Sequence, residues 1–207
     1  MNIEVPVTRP FFPPREEYEA LLKLIWDHGW LTNNGPMCQS IEKLVSDFLE
    51  CPPMLFLSSG TTALQFAIRT LSLSGEVITS PFSYVATTSS IVWEGCKPVF
   101  VDIEPDSLNI NPELIERAVT ERTSAILATH VYGNPCNIDA IESIAKRYDL
   151  KVMYDAAHCF GTQYKGQSVY GYGDITATSF HATKLFHTVE GGAVICRNPE
   201  WMNRIEL

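Results

Sequence analysis

Lys184 is the residue of this sequence with the clearest capacity for covalent chemistry. It lies within residues 179–193, SFHATKLFHTVEGGA, among small, apolar and hydroxyl side chains and between two apolar runs. A lysine at such a junction is usually a solvated surface charge. A partly desolvated lysine loses its proton more easily, and its neutral amine can attack a carbonyl to form a Schiff base. The segment alone leaves both interpretations open, and the surface charge is the more common one.

Residues 58–62, SSGTT, form a candidate phosphate-binding turn between a predicted strand and a predicted helix. Free amides at a helix N-terminus attract anions, and Gly60 lets an anion approach the backbone closely. The hydroxyl groups of Thr61 and Thr62 are further hydrogen-bonding groups in this turn. Serine and threonine are also favoured N-caps, so an ordinary helix cap explains the pattern equally well.

Asp155 follows the apolar run Val152–Tyr154, where a buried carboxylate would be costly without a cationic partner. The protonated ring nitrogen of a pyridine is such a partner, and keeping that nitrogen protonated makes the ring an electron sink. A helix-capping aspartate is the alternative. His158 lies three residues further on and could hydrogen-bond a ring substituent, although a lone histidine is more often structural.

Tyr84 and Ser179 add an aromatic ring and a hydroxyl. Tyr84 comes shortly after a predicted strand that ends at Thr79, where its ring could lie against a flat heterocycle; core packing is the alternative. Ser179 lies five residues before Lys184. A pyridoxal phosphate site consists of a phosphate-binding turn, an aromatic ring, a carboxylate and an amine, and the candidate residues supply all four. Their combination is a stronger signal than any single member.

Apolar runs and helical periods alternate along the chain from residue 53 onward. The predicted strands are Met54–Leu57, Val77–Thr79, Val99–Ile103, Ala125–Val131, Val152–Asp155, Ala177–Phe180 and Ala193–Cys196. Their nearly continuous apolar character predicts an α/β fold, in which helices cover both faces of a mostly parallel, seven-stranded sheet. Ligands of such sheets bind beyond the carboxyl ends of the strands, and the candidate residues fall there.

The N-terminal residues predict an arm and a first helix ahead of the sheet. Prolines at four of the first 14 positions favour an extended arm. Helices are predicted at Glu16–Trp26 and Met37–Leu49. Four side chains of the second helix are predicted to face inward: Ile41, Leu44, Val45 and Phe48. The predicted organisation is an arm and first helix at residues 1–36 and a large domain that binds pyridoxal phosphate at residues 37–207.

The composition is that of a globular protein, since 45% of the 207 residues are apolar. The chain has 15 Lys and Arg against 24 Asp and Glu, a formal charge of −9, and no basic run, so nucleic acid is not an expected partner. The six cysteines are scattered, which predicts free thiols, no metal site and a cytoplasmic protein. No apolar run is long enough to span a bilayer, so no membrane association is expected.

Seven stretches of the chain closely resemble the DegT/DnrJ/EryC1/StrS family of nucleotide-sugar aminotransferases. They are SGTTAL (59–64), PFSYVAT (81–87), PVFVDI (98–103), HVYGNPC (130–136), YDAAH (154–158), SFHATK (179–184) and EGG (190–192). The resemblance extends to LTNNGP (31–36). Within the family, the chain looks most like the enzymes that aminate C4 of dTDP-4-keto-6-deoxy-D-glucose. The resemblance implies the large-domain fold of fold-type I, aspartate aminotransferase-like enzymes that depend on pyridoxal 5'-phosphate.

The same resemblance implies roles for the candidate residues. Lys184 matches the catalytic lysine, which holds the cofactor and shuttles a proton between cofactor and substrate carbons, and Asp155 matches the partner of the pyridinium nitrogen. The implied cofactor-binding residues are Gly60, Thr61, Thr62, Tyr84, Asp155, His158, Ser179 and Lys184. Among them, Thr61, Thr62 and Ser179 match contacts to the phosphate. Tyr84 matches the aromatic residue that stacks on the ring, and His158 lies where a glutamine often contacts the phenolic oxygen.

The implied reaction transfers an amino group from L-glutamate to a keto group of a nucleotide-linked 4-keto-6-deoxy sugar, for amino sugars of surface polysaccharides or glycosylated metabolites. The family is implied to act as a homodimer with shared active sites, and a small C-terminal domain closes over the substrate. Because the chain stops at Leu207, that domain is expected to be absent and the large domain incomplete. One alternative is a non-catalytic cofactor-binding remnant or a subunit that depends on a partner. The other is a sugar 3-dehydratase, which has histidine in place of the lysine, and Lys184 argues against it.

Overall fold

The computed structural model describes residues 8–206, so the start of the predicted arm, residues 1–7, lies outside the described residues. The helices are α1 (Arg15–His28), α2 (Pro36–Leu49), α3 (Gly60–Thr70), α4 (Val85–Trp93), α5 (Pro112–Ala118), α6 (Ile138–Tyr148) and α7 (Pro199–Glu206). The strands are β1 (Met54–Leu57), β2 (Glu76–Thr79), β3 (Lys97–Phe100), β4 (Thr123–Thr129), β5 (Lys151–Asp155), β6 (Gln163–Tyr164), β7 (Gln167–Ser168), β8 (Ile175–Ser179) and β9 (Gly192–Ile195).

Seven of these strands form one sheet in the order β1-β9-β8-β5-β4-β2-β3, and β6 and β7 form a separate hairpin. β9 runs antiparallel to both of its neighbours, and the remaining pairs are parallel. The predicted seven-stranded, mostly parallel sheet is therefore confirmed. Because β2, β4, β5 and β8 run in the same direction, their carboxyl ends lie together at one end of the strands, and β9 begins at that end.

Successive residues of the strands point to opposite faces of the sheet, and both faces are buried. On one face, Val77, Leu127 and Met153 pack with α3, α4 and α7. On the other face, Ile126 and Tyr154 pack with α5 and α6, and α2 covers the β1 end. Each large apolar side chain buried in this way contributes roughly 1.5–3 kcal/mol to folding. The prediction of helices on both faces is confirmed.

The inward face predicted for α2 is wrong at two of its four positions. Leu44 and Phe48 are 65% and 71% exposed, whereas Val45 and Leu49 are buried. The reason is that α2 packs beside the edge strand β1, where only a narrow stripe of the helix meets the sheet. The ring of Phe48 instead stacks on Phe160 near the surface, with 5.7 Å between centroids.

Two predicted strands are displaced along the chain. The sheet strand β3 ends at Phe100, and Ile103 forms only an isolated bridge with Ile110. β4 ends at Thr129, and Val131 already belongs to a short 3-10 turn. In both cases apolar residues continue past the last sheet pairing, so hydrophobicity alone does not mark the end of the strand. Between residues 8 and 206, no helix has the length and apolar character needed to cross a membrane.

Candidate active site

A cavity of about 500 Å³ lies at the carboxyl ends of β5 and β8, on the face of the sheet that α3 and α4 cover. Its wall includes these residues predicted from the sequence: Gly60, Thr61, Tyr84, Asp155, His158, Ser179 and Lys184. Thr62 is not part of the wall. Its hydroxyl contacts the hydroxyls of Ser59 at 2.9 Å and Ser58 at 3.2 Å, and these contacts stabilise the turn. The predicted contact of Thr62 with a phosphate stays a prediction.

The start of α3 presents backbone amides to this cavity. Ser59 caps the helix, and its hydroxyl accepts a hydrogen bond from the Thr62 amide at 3.1 Å. The amides of Gly60 and Thr61 have no intrahelical acceptor because they begin the helix. A Cβ on Gly60 would lie 2.8 Å from the Cβ of Ser179, and one on Gly192 would lie 2.4 Å from the Ser59 carbonyl carbon. Both glycines therefore allow β8, β9 and the α3 turn to close into a cradle.

Asp155 is the last residue of β5 and is only 5% exposed. One carboxylate oxygen accepts a hydrogen bond from the Thr87 hydroxyl at 2.7 Å, and the other accepts one from the Ala157 amide at 3.1 Å. These two bonds fix the orientation of the carboxylate. Within residues 8–206 no Lys, Arg or His side chain forms an ion pair with it. A buried carboxylate without an ion-pair partner is costly, so the site favours a ligand that carries a positive charge there.

Lys184 lies in the loop between β8 and β9. This loop is closed by backbone hydrogen bonds from Phe180 to Gly191 at 2.8 Å and from Ala182 to Val189 at 2.8 Å. Burial lowers the pKa of the Lys184 ammonium from its usual value, and the carboxylate of Asp155 partly opposes this shift. A larger fraction of the amine is therefore neutral at physiological pH than in a solvated lysine. The neutral amine is the form that attacks a carbonyl.

Two rings flank Lys184 in the cavity wall. Tyr84 immediately precedes α4, and its side chain is 72% exposed, so its ring is open to a ligand. His158 lies after β5, and burial together with the nearby Lys184 lowers the pKa of its imidazole, while Asp155 opposes the change. A neutral imidazole can either donate or accept a hydrogen bond. The structure thus brings the predicted aromatic platform and the predicted histidine to the same cavity as Lys184.

Several wall and support residues were not predicted from the sequence. Thr87 lies on the buried side of α4, and its hydroxyl donates to Asp155 at the end of β5. His181 and Glu190 stand near the two ends of the Lys184 loop, with His181 Nε2 3.5 Å from Glu190 Oε1. The Thr183 amide donates to Nδ1 of His181 at 3.2 Å, and Nε2 is the ring nitrogen that faces the Glu190 carboxylate. The buried face of α4 also contains Ser90, so no sequence signal distinguished the hydroxyl of Thr87.

A profile described as the DegT/DnrJ/EryC1/StrS aminotransferase family matches residues 14–207. The chain is 50% identical over 206 residues to the dTDP-4-amino-4,6-dideoxy-D-glucose transaminase of Shigella dysenteriae, which covers 100% of this chain and 56% of the relative. It is 42% identical over 207 residues to the transaminase of the same name from Escherichia coli, which covers 98% of this chain and 55% of the relative. The chain spans about half the length of the curated relatives that it matches.

Solved structures give the same fold. DesI, crystallised in the presence of its TDP-sugar product, superposes with a TM-score of 0.93 at 34% identity, over 96% of this chain and 50% of that one. The PLP form of the putative sugar aminotransferase Spr1654 from Streptococcus pneumoniae superposes with a TM-score of 0.89 at 30% identity, over 97% of this chain and 56% of that one. These matches confirm the predicted large-domain fold and the resemblance seen in the sequence motifs.

Proposed function

Because the chain belongs to the DegT/DnrJ/EryC1/StrS aminotransferase family, we propose that it is a sugar aminotransferase that uses pyridoxal 5'-phosphate. It takes the amino group of L-glutamate and transfers it to the keto group of a nucleotide-linked 4-keto-6-deoxy sugar, for amino sugars of surface polysaccharides or glycosylated metabolites. One observation carries the proposal: the cavity holds both a buried carboxylate that forms no ion pair within residues 8–206, Asp155, and a partly buried lysine, Lys184. The names of the two transaminases similar to this chain support a thymidine-linked 4-amino product.

The residues of the cavity fit the proposed cofactor. The uncompensated carboxylate of Asp155 matches the positive charge of a protonated pyridine nitrogen. The cradle that Gly60 and Gly192 keep open matches a phosphate, since free amides at a helix N-terminus favour an anion. Lys184 supplies the amine that an aldehyde requires. When bound, the cofactor supplies a protonated ring that withdraws electrons from the substrate carbon.

Each side chain of the site has a defined task in this proposal. Asp155 holds the proton on the ring nitrogen, and the hydrogen bond from Thr87 keeps its carboxylate in place. The amides of Gly60 and Thr61, with the Ser179 hydroxyl, bind the phosphate. Tyr84 would lie against the cofactor ring.

Proton transfer is the task of Lys184. Its Nζ would hold the cofactor through the aldehyde carbon, and as a free amine it would move a proton at the substrate carbon that bears the amino group. A base for this step must be neutral when it accepts the proton. The lowered pKa of Lys184 increases that neutral fraction. His158, next to the lysine, provides a hydrogen bond to a ring substituent of the cofactor.

The test starts with cofactor capture. Purified chain is incubated with pyridoxal 5'-phosphate, reduced with borohydride and analysed by intact and peptide mass spectrometry. We expect a cofactor adduct on Lys184, a new visible absorbance band before reduction, and neither in Lys184→Ala. Lys146→Ala is the matched control, because Lys146 is exposed on α6 away from the cavity. An identical adduct yield in Lys184→Ala and in the unmodified chain would refute the role of Lys184.

The second part measures turnover. The loaded chain is mixed with L-glutamate and dTDP-4-keto-6-deoxy-D-glucose, and formation of the amino sugar is followed by mass spectrometry. We expect a glutamate-dependent product that Lys184→Ala does not form. Capture of the cofactor on Lys184 without any product would instead favour the alternative of a cofactor-binding chain that does not turn over alone.

A homodimer with shared sites remains part of the proposal. Large apolar side chains beside the cavity are exposed, with Tyr84 at 72%, Val85 at 67%, Leu185 at 84% and Val189 at 66%. Exposed apolar side chains grouped in this way are typical of surfaces that meet a partner. The division into residues 1–36 and 37–207 and the cytoplasmic location also remain predictions within this proposal. Sedimentation of the loaded chain at several concentrations tests the assembly, and a concentration-independent monomer would contradict it.

A further inference from the structure

A second cavity of about 320 Å³ lies beside the first. The two cavities share four wall residues: Tyr84, Thr129, His158 and Lys184. Lys184 is therefore accessible from both. The part of the second cavity's wall that the structure describes contains no carboxylate, so an electron-rich neutral ligand meets no repulsion there. The first cavity accounts for the cofactor, and the second leaves room for another molecule at the same amine.

Tyr132 gives this second cavity an exposed aromatic surface. It is 75% exposed, and its backbone has φ 54°, in the left-handed region that residues other than glycine adopt rarely. The following Gly133 is also left-handed, and a Cβ there would lie 2.7 Å from the His158 carbonyl oxygen. The tight packing of Gly133 thus holds the turn, and the turn presents the Tyr132 ring to the cavity. A backbone conformation of this kind costs free energy and persists where the surrounding packing holds it.

Phe82 and His158 extend the aromatic surface. The His158 ring is nearly parallel to that of Tyr132, at 15° and 6.3 Å between centroids. The Phe82 ring meets Tyr132 edge-on, at 85° and 6.4 Å. Phe82 is itself 41% exposed. Three aromatic rings thus lie together at this cavity, and the exposed ring of Tyr132 stays available to a ligand.

We propose that this second cavity binds the sugar ring of the amino acceptor and that Tyr132 and Phe82 pack against the apolar C–H face of that ring. The inference rests on the proposed function and adds the position and recognition of the acceptor. The carbonyl carbon of the acceptor has to approach Lys184 and the cofactor. The part of a nucleotide sugar that lies in the same cavity as Lys184 is therefore the sugar and not the base. Aromatic faces carry a partial negative charge, which attracts the partially positive C–H groups of a sugar ring.

The test separates the sugar from the nucleotide without turnover. The chain loaded with pyridoxal 5'-phosphate is titrated calorimetrically with dTDP-glucose and, separately, with dTDP. In Tyr132→Ala we expect the Kd for dTDP-glucose to rise roughly tenfold, the effect of losing one aromatic contact. The Kd for dTDP should stay unchanged. Tyr132→Phe keeps the ring and should bind both ligands as the unmodified chain does.

Controls make the outcomes decisive. Trp26→Ala removes an aromatic side chain that is 77% exposed and lies outside both cavities, so it should change neither Kd. An equal rise for dTDP and dTDP-glucose in Tyr132→Ala would place the base on this surface and overturn the inference. Unchanged binding of both ligands, or no binding of dTDP-glucose to the unmodified chain, would also overturn it. The proposed function fails separately, through loss of the Lys184 adduct or of amino transfer from glutamate, which this titration does not require.

Discussion

Two buried carboxylates at opposite ends of the same sheet have very different surroundings. Glu76 begins β2 and is 3% exposed, and Asp155 ends β5 and is 5% exposed. Glu76 accepts hydrogen bonds from Thr120 at 2.7 Å, Arg122 at 2.9 Å and Lys97 at 3.2 Å. These bonds, that of Thr120 first, lower the pKa of Glu76 from 4.5 to about 2. Its charge is thus compensated by the protein itself.

Within residues 8–206, the hydrogen bonds that Asp155 accepts come from two neutral groups, the Thr87 hydroxyl and the Ala157 amide. Burial is nearly the same as for Glu76, so burial alone does not distinguish the two. The difference is the ion pair: two basic side chains form ion pairs with Glu76, whereas within residues 8–206 no Lys, Arg or His forms one with Asp155. Lys184 and His158 interact with the Asp155 carboxylate only from beyond ion-pair distance. A buried carboxylate that the protein leaves uncompensated, next to a cavity, indicates a cationic ligand. At the amino ends of the strands the ion pairs of Glu76 stabilise the fold, whereas at the carboxyl ends Asp155 is available to a cationic ligand.

Removing the charge of Asp155 should have the largest effect on function. In Asp155→Asn we expect the affinity for pyridoxal 5'-phosphate to fall about a hundredfold or more, because a buried charged partner is lost. The stability of the cofactor-free chain should stay the same or rise. The Thr87 hydroxyl can rotate to accept from the new amide group, and an uncompensated charge is removed. Absorbance titration gives the affinity, and urea unfolding without cofactor gives the free energy of unfolding.

Two results would contradict this contrast between Asp155 and Glu76. One is a large loss of stability in cofactor-free Asp155→Asn, which would mean that its carboxylate is structural as in Glu76. The other is unchanged cofactor affinity. Asp174→Asn is a useful control, since Asp174 accepts from the Val152 amide at 2.7 Å at the far end of β5 and lies outside the cavity.

Thr87 should have a smaller effect of the same kind. Its hydroxyl donates to Asp155 from a fully buried position, and a hydrogen bond to a charged group is worth about 1.5–3 kcal/mol. In Thr87→Val we expect cofactor affinity to fall roughly tenfold and the pH dependence of the cofactor absorbance to shift, because Asp155 is less firmly held. Thr87→Ser keeps the hydroxyl and should restore both. If the two variants behave alike, the hydroxyl does not position Asp155.

The sequence predicted Asp155 but could not predict Thr87. A carboxylate at the end of an apolar strand is visible in the local pattern, whereas the contact with Thr87 joins residues 68 positions apart and depends on how α4 packs on the sheet. Glu76 was missed for the same reason. It reads as an exposed residue at the start of a strand, and its partners come from β3 and from the segment ahead of β4.

The strands could be predicted from the sequence, because an apolar run identifies a strand without knowledge of the strands that pair with it. The apolar runs revealed the seven strands, but not that β1 pairs with β9 in antiparallel register. That pairing joins distant parts of the chain, so no local period encodes it. It matters for the site, because it places Gly192 against Ser59 and completes the cradle.

Replacing Glu76 should have the smallest effect of these changes, and it should alter stability but not cofactor binding. Its pKa is lowered on folding to about 2, so the unfolded chain binds more protons between about pH 4.5 and pH 2. Its contribution to stability is therefore complete above pH 4.5 and is lost as the pH falls towards 2. In Glu76→Gln we expect a lower free energy of unfolding at pH 7 and unchanged cofactor affinity. The difference from the unmodified chain should shrink as the pH is lowered.

Urea unfolding at pH 7, 5 and 3 measures this difference. Glu113→Gln serves as the control, because Glu113 is an exposed glutamate on α5 whose closest ion-pair distance, to Arg117, is 4.0 Å. Its replacement should leave the free energy of unfolding nearly unchanged at each pH, since an exposed pair contributes little. If the gap between Glu76→Gln and the unmodified chain stays constant down to pH 3, the effect comes from altered packing and not from the charge. Glu76 would then not be held as an ionised group, and the contrast with Asp155 would rest on ligand binding alone.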